Sequence, residues 1–403
     1  MHRGRPGSGR GVAGGSRPAS GRPEDRAADK LRPGVTRMFA SVVPGATPIV
    51  TRELKRLPGV QVTEVGFDGR VDLILFEVDR GCREGLSELR TIEDLFVEVG
   101  RTTRSSGDNP NQIAQRVWRP EQVEKALSAW SQAVRPLAGT MTYRVIARVR
   151  QERSFRRTDL RDGLSRSISA GKSRWKVADP AQIEVWIGEY RPGHLVAGLR
   201  LADGTARQDD GRQNDGQNDG RQDDGRGRDG RQVERRGALR PTVAAMMVGL
   251  AGQPRRNLLD PCCGSGTILG EALAAGWSTV RGIDIDPEAV VAAGRNVPGA
   301  TVWRGDAREL TLPAGSVAAV VSNLPSGLPS GLPSGRRSGA QGDLAVWLAE
   351  VLAEMERITR PGGRVVLLAP ELPGDAIPER LKITTTRQLR LPGTTTTLWA
   401  FDR

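Results

Sequence analysis

Residues 257–267 read Asn-Leu-Leu-Asp-Pro-Cys-Cys-Gly-Ser-Gly-Thr, and this stretch decides the fold of the C-terminal half. A short apolar strand, Asn257–Asp260, runs into Gly264-Ser265-Gly266 and then into an apolar helix expected over 267–275. Glycines between a strand and a helix let the backbone come close to a ligand, because they carry no Cβ. No Lys follows, so this is not a phosphate-cradling P-loop. The third glycine falls at Gly270, one residue late for a dinucleotide fingerprint. Downstream the pattern repeats. Strands are expected at 279–284, 301–304, 317–322 and 364–369, and helices at 287–296 and 343–360. A last strand pair, 382–391 and 394–401, joins at Pro392-Gly393. Strands alternating with helices imply an α/β, doubly wound, Rossmann-like sheet, here ending in an antiparallel pair.

Each of the first strands ends in a polar group. Asp260 opens the glycine loop, and an acid there suits a cationic ligand better than a pyrophosphate. S-adenosylmethionine carries an ammonium and a sulfonium, so Asp260 fits it. Asp284 closes the next strand, in Gly282-Ile283-Asp284-Ile285-Asp286, where a carboxylate can accept both ribose hydroxyls. Asp306 closes the third, in Gly305-Asp306-Ala307, and can accept from an adenine amino group. The fourth ends Ser322-Asn323-Leu324-Pro325-Ser326-Gly327. One such end is a turn or a helix cap. Four in order, at successive strand ends, point to a methyltransferase fold.

These motifs resemble the THUMP-domain RNA methyltransferases, which modify the exocyclic amine of guanine, mostly in tRNA. Asp260-Pro261-Cys262-Cys263-Gly264-Ser265-Gly266-Thr267-Ile268 resembles their cofactor loop. Residues 236–245 resemble the lead-in to it, and Asn323-Leu324-Pro325-x-Gly327 their catalytic motif. Tyr143–Arg148, Phe155–Arg157 and the strand pair near 183–201 resemble a THUMP module, and 38–104 its ferredoxin-like companion. The resemblance implies S-adenosylmethionine bound by Asp260, Pro261, Cys262, Gly264, Ser265, Gly266, Thr267, Asp284, Ile285, Asp306, Ala307 and Asn323. It implies catalysis by Asn323, Leu324 and Pro325. It implies a ferredoxin-like region over 38–139 running into a THUMP core at 140–203, with the methyltransferase domain at 235–403. The family usually has an aromatic residue after the proline, to stack on the flipped base. This chain has Ser326, and Leu-Pro-Ser-Gly occurs three times in tandem from Leu324 to Gly335. The added loop is either a mobile flap or a repeat expansion that weakens catalysis.

The 403 residues carry a formal charge of +13, and only six of the 60 cations are lysines. That balance points to an anionic partner, most simply nucleic acid. Residues 1–37 are Gly, Arg, Pro and Ser with almost no large apolar residue, which makes them a disordered basic arm by composition. It is either a tolerated extension or a nucleic-acid arm. Residues 204–234, a degenerate repeat of Asp, Gly, Arg, Gln and Asn, form a flexible linker or an expanded loop.

Between the two lies an α+β pattern. It has strands near 38–43, 60–66, 70–78, 95–99, 142–149, 182–190 and 195–201, and helices near 45–57, 120–134 and 158–170. Thr158 is the expected N-cap of the last helix. The window 139–176 holds eleven cations against three acids. Arginine forks suit phosphate, so Arg148, Arg150, Arg153, Arg156, Arg157, Arg161, Lys172 and Arg174 are the expected nucleic-acid contacts, and the resemblance implies that the nucleic acid is structured RNA, tRNA first. Trp175 and Phe155 could stack on bases or pack in the core.

No run is long and apolar enough for a spanning helix, and no apolar segment follows the basic N-terminus as in a secretory signal. Three cysteines and two histidines make no usual zinc site and no disulfide framework, so no metal is expected. A cytoplasmic setting is the expectation, with the oligomeric state unknown and a monomer assumed. Adjacent Cys262 and Cys263 read as loop packing, Cys82 as filler in a helix, and His194 as a turn residue. Two rivals remain: a DNA amino-methyltransferase with the same Asn-x-Pro chemistry, and an RNA-binding protein with impaired catalysis.

Overall fold

A computed structural model describes residues 34–79, 82, 84–105, 107–149, 155–202, 239–253, 257–325, 340–369 and 371–403. The linker, most of the basic arm, Arg150, Arg153, Ser326 and the rest of the tandem repeat lie outside them.

The N-terminal half contains β1 (Val35–Val42), α1 (Thr47–Leu54), β2 (Val60–Phe67), β3 (Asp72–Asp79), the single turn α2 (Glu84–Ser87) and β4 (Asp94–Thr103). Then come α3 (Pro110–Val117), α4 (Pro120–Ala133), β5 (Thr142–Arg148), α5 (Arg157–Gly171), β6 (Lys176–Val177), β7 (Ile183–Arg191) and β8 (His194–Arg200). The eight strands make one sheet in the order β2-β3-β1-β4-β8-β7-β5-β6. The sheet curls until β2 meets β7. Arg191 Nε donates to Val65 O at 2.9 Å, and a Cβ on Gly66 would lie 2.1 Å from Tyr190 O. Inside the curl Phe39 stacks on Phe96 at 4.5 Å, beside Trp186. The other face is covered by α3, α4 and α5, whose Ile113, Leu127, Trp130 and Leu164 are buried with Tyr143 and Val145.

Several expectations are corrected here. Strand β1 starts at Val35, so the arm ends before residue 37. Helix α3 was not expected, although Asn109 and Gln112 form a reciprocal capping box before it. The N-cap of α5 is Arg156, not Thr158. Asp159, in the first turn, accepts from the Arg156 N–H at 2.8 Å, and the carboxylate there also suits the helix dipole. Cys82 precedes α2 rather than lying in a helix, and packs against the core.

The C-terminal half contains α6 (Pro241–Leu250), β9 (Asn257–Asp260), α7 (Thr267–Ala274), β10 (Thr279–Asp284), α8 (Pro287–Asn296) and β11 (Thr301–Arg304). It continues with β12 (Val317–Asn323), α9 (Ala340–Ile358), β13 (Thr359–Ala369), β14 (Lys382–Leu391) and β15 (Thr394–Asp402). Its sheet runs β11-β10-β9-β12-β13-β15-β14, parallel through β13, with β15 antiparallel to both neighbours. The order reverses between β9 and β12, and the crevice at such a switch point is where open α/β sheets bind ligands.

The two halves share one core. Val42, Val50 and Ile74 belong to the same buried cluster as Met246, Leu258, Leu269 and Leu389. Arg390 N–H donates to Pro44 O at 3.0 Å.

Candidate cofactor and catalytic site

Four strand ends meet at the switch point. The glycine loop after β9 is held by β10: Gly264 N–H donates to Asp284 Oδ2 at 2.8 Å and Cys263 N–H to Ile283 O at 2.9 Å. Asn296 Nδ2 adds a bond to Ser265 O at 3.0 Å. Gly264 and Gly266 both have positive φ, +52° and +87°. A Cβ on Gly266 would press on Val297, whereas one on Gly264 would enter open space. Gly264 therefore leaves the loop backbone bare on that side.

Asp260 is 1% exposed. Its Oδ1 accepts from Cys262 N–H at 3.1 Å and from Ser322 Oγ at 2.7 Å. Burial pushes its carboxyl up to about 7, against the pull of those two bonds. Asp284 is half-buried, and each oxygen takes one backbone N–H, from Gly264 and from Asp286. A carboxylate has about four acceptor sites, so capacity for two hydroxyls remains. Asp306 is paired side-on with Arg308, whose guanidinium holds it below the usual carboxylate range. Ala307 is buried against Trp347 and Leu348 of α9, and Ile285 lies half-buried just past β10.

Cys262 and Cys263 face opposite sides of the sheet, in the clusters of α9 and of α7 respectively. Burial, then the Asp260 charge, pushes both thiols up, which suits packing rather than nucleophilic roles. Asn323 ends β12 opposite Leu368. Leu324 N–H donates to Leu368 O at 2.9 Å, which fixes the peptide beyond the strand. Pro325 follows, half-buried. Sequence reasoning missed Ser322, Arg308 and Asn296. Arg308 finds Asp306 two residues away, whereas Ser322 meets Asp260 only because strands distant in sequence lie side by side.

The expected RNA contacts divide. Arg156, Arg157, Arg161 and Arg174 are exposed. Arg148 is not available as expected: it lies 4.3 Å over the Trp186 ring and pairs with buried Asp68 at 3.2 Å. Lys172 pairs with Glu124 and sits over Trp175. Phe155 is buried, and Trp175 packs 6.1 Å from Tyr143, so both belong to the core. His194 is exposed at the β7–β8 turn. Among the described residues no His, Cys, Asp and Glu cluster could hold a metal, and no helix is long and apolar enough to cross a membrane.

Residues 228–376 match the UPF0020 family model, described as an RMKL-like methyltransferase domain. The C-terminal half has a Rossmann-like methyltransferase fold. Its fold implies S-adenosylmethionine as cofactor, and the residues fit: bare backbone at Gly264 and carboxylates at three strand ends suit a cation with a diol.

The U6 snRNA (guanine-N(2))-methyltransferase THUMPD2 of Mus musculus is 33% identical over 142 residues, 33% of this chain and 24% of that protein. The Homo sapiens protein is 32% identical over 146 residues, 34% of this chain and 26% of its own. The chain thus spans about a quarter of the length of these curated relatives. The crystal structure of TrmN from Thermus thermophilus superimposes with a TM-score of 0.62 at 19% identity. That match covers 91% of this chain and 99% of the other, so the likeness in fold extends beyond the methyltransferase domain to the N-terminal half.

Proposed function

We propose that the protein transfers a methyl group from S-adenosylmethionine to the exocyclic amine of guanosine in a structured RNA, most simply tRNA. The observation that carries this reading is the placement of Asn323 and Leu324 at the end of β12, beside the cofactor loop, with exposed arginines on the N-terminal half. In this reading residues 38–139 are a ferredoxin-like region running into a THUMP core at 140–203. The names of the THUMPD2 relatives support guanine N2 as the acceptor.

The amine of guanine is a poor nucleophile because its lone pair is delocalised into the ring. The Asn323 side-chain oxygen and the Leu324 carbonyl would accept its two hydrogens and aim the lone pair into the crevice. Positioning and electrostatics do this work, more than acid–base catalysis. When bound, the cofactor supplies an electrophilic methyl carbon on a neutral thioether leaving group. Gly264 and Asp284 would hold it, buried Asp260 would supply charge beneath the loop, and Asp306 would hold the adenine. The guanine must leave its stack, at a cost of a few kcal/mol. With Ser326 after the proline an aromatic platform is missing there, and stacking is worth about 1–3 kcal/mol per base. That residue favours the second reading, an RNA-binding protein with impaired catalysis.

Labelled S-adenosylmethionine and bulk tRNA separate the two. Wild type is expected to deposit label in N2-methylguanosine after digestion to nucleosides, and Asn323→Ala to deposit none. Absence of label with cofactor binding intact would sink the enzyme reading for tRNA. Preference for DNA over RNA in a gel shift would favour the DNA amino-methyltransferase.

A further inference from the structure

Strands β9 and β12 are neighbours only up to Leu259 and Val320; beyond that pair the crevice opens. On its other side β12 stays paired with β13 through Asn323–Leu368. The catalytic end of β12 is therefore held by backbone on one flank only. On the open flank the tie is a side-chain bond, Ser322 Oγ to Asp260 Oδ1 at 2.7 Å. Ser322 is 0% exposed and Asp260 1%, so water does not compete for either. The same Asp260 oxygen accepts Cys262 N–H from the cofactor loop. One atom thus joins the loop that approaches the cofactor to the residue that precedes Asn323.

We propose that Ser322 is a positioning residue: through Asp260 it locks the end of β12 to the cofactor loop, so that cofactor binding and the placement of Asn323 depend on each other. This rests on the cofactor reading of the loop and not on the identity of the RNA.

The groups around Asp260 make the link readable through pH. Asp284 faces it from β10 and the Cys262 thiol from the loop, while Asp306 lies one strand further, paired with Arg308. Burial raises the Asp260 carboxyl to about 7, the Asp284 charge adds to that, and the Ser322 hydroxyl pulls it down. A cation bound against the loop favours the ionised form, so cofactor affinity falls as pH drops through this range. Loss of the Ser322 hydroxyl moves the fall to higher pH. A hydroxyl that merely fills space would not do this.

The test is calorimetric titration of the full chain with S-adenosylmethionine between pH 5.5 and 9, for wild type, Ser322→Ala and Asp260→Asn. Hydrogen exchange at the Leu324 amide is followed with and without cofactor. Wild type is expected to lose affinity below about pH 7. Ser322→Ala should bind about 5–10-fold more weakly at pH 7.5, with its acid limb displaced upward. Asp260→Asn, which keeps an acceptor but cannot ionise, should lose the limb. Cofactor should slow exchange at Leu324 in wild type and less so in Ser322→Ala. If Ser322→Ala does not fold, the wild-type exchange and the Asp260→Asn profile still decide. Unchanged affinity and pH profile in Ser322→Ala, or a Leu324 amide indifferent to cofactor in wild type, would overturn the proposal. A wild type that binds no cofactor overturns it together with the loop reading. Binding without tRNA methylation overturns the RNA reading alone.

Discussion

Arg90 closes a two-pronged ion pair on Glu271, with Nε 2.5 Å from Oε2 and Nη2 2.8 Å from Oε1. Arg90 lies in the N-terminal half, four residues before β4. Glu271 is buried on α7, one turn beyond Thr267 of the cofactor loop. Glu93 makes a parallel tie, accepting from Arg240 and Thr242 at the start of α6. The part of the chain with the exposed arginines is thus bolted to the helices that flank the cofactor loop, which fixes the distance between those arginines and the loop.

Arg90→Ala leaves the Glu271 carboxylate buried without its fork. Arg90 is itself half exposed, so the expected loss is about 1–2 kcal/mol. Arg90→Ala with Glu271→Leu should lose less than the sum of the single changes. Urea unfolding of the four proteins of the cycle measures this coupling.

Gly45 sits at φ +95°, and a Cβ there would lie 2.0 Å from Gln388 O, across the contact between the halves. Gly45→Ala should cost about 2–4 kcal/mol, because neither backbone can give way. Gly69 has φ +101° with open space around it, so Gly69→Ala should cost only about 1 kcal/mol. Thermal unfolding of the two variants side by side separates steric clash from backbone strain.

The exposed and tied arginines should part company in RNA binding. Arg174→Ala should weaken tRNA binding across sequences and flatten the salt dependence by about one charge, and Arg161→Ala by less, since Asp162 already pairs with that guanidinium at 3.0 Å. Arg148→Ala should leave the salt slope unchanged and lower stability by about 1–2 kcal/mol, since it strips Trp186 and Asp68 of their partner. Filter binding over a salt series, with a melt of each variant, checks both.

Asp260 gives stability a pH signature. Burial raises its folded-state value from the ordinary 3.8 to about 7, so the folded protein keeps a proton that the unfolded chain has released between those values. This contribution makes stability fall as pH rises from about 4 to about 7, and above 7 the buried charge imposes its full cost. Asp260→Asn should therefore be more stable than wild type at pH 8 by up to about 4 kcal/mol, with the difference vanishing near pH 4. Urea midpoints without cofactor at pH 4.5, 6 and 8 test the sign.

The C-terminal elements were largely legible in the sequence. Strands Asn257–Asp260, Thr279–Asp284 and Thr301–Arg304 and helix Pro287–Asn296 fall where turn residues and short apolar runs put them. Local signals suffice there, because a glycine pair, a strand-end acid or a proline at a helix start acts within a few residues. Helix α3 carried a readable capping box, yet its polar run hid it. The arginines misled for another reason: a charge count over 139–176 cannot see that Arg148 pairs with Asp68, or Lys172 with Glu124, from far along the chain.

By itself, then, the amino-acid sequence determined the alternation of strand and helix, the glycine loop, and the order of polar residues at the strand ends. Only the tertiary structure decided that β9 borders β12, that the two halves share one core, and that Asp260 is sealed from water between a backbone N–H and Ser322. Turn chemistry is local and can be read along the chain. Strand order, burial and the ionisation of a buried carboxyl depend on contacts between residues tens to hundreds of positions apart, which exist only once the chain has folded.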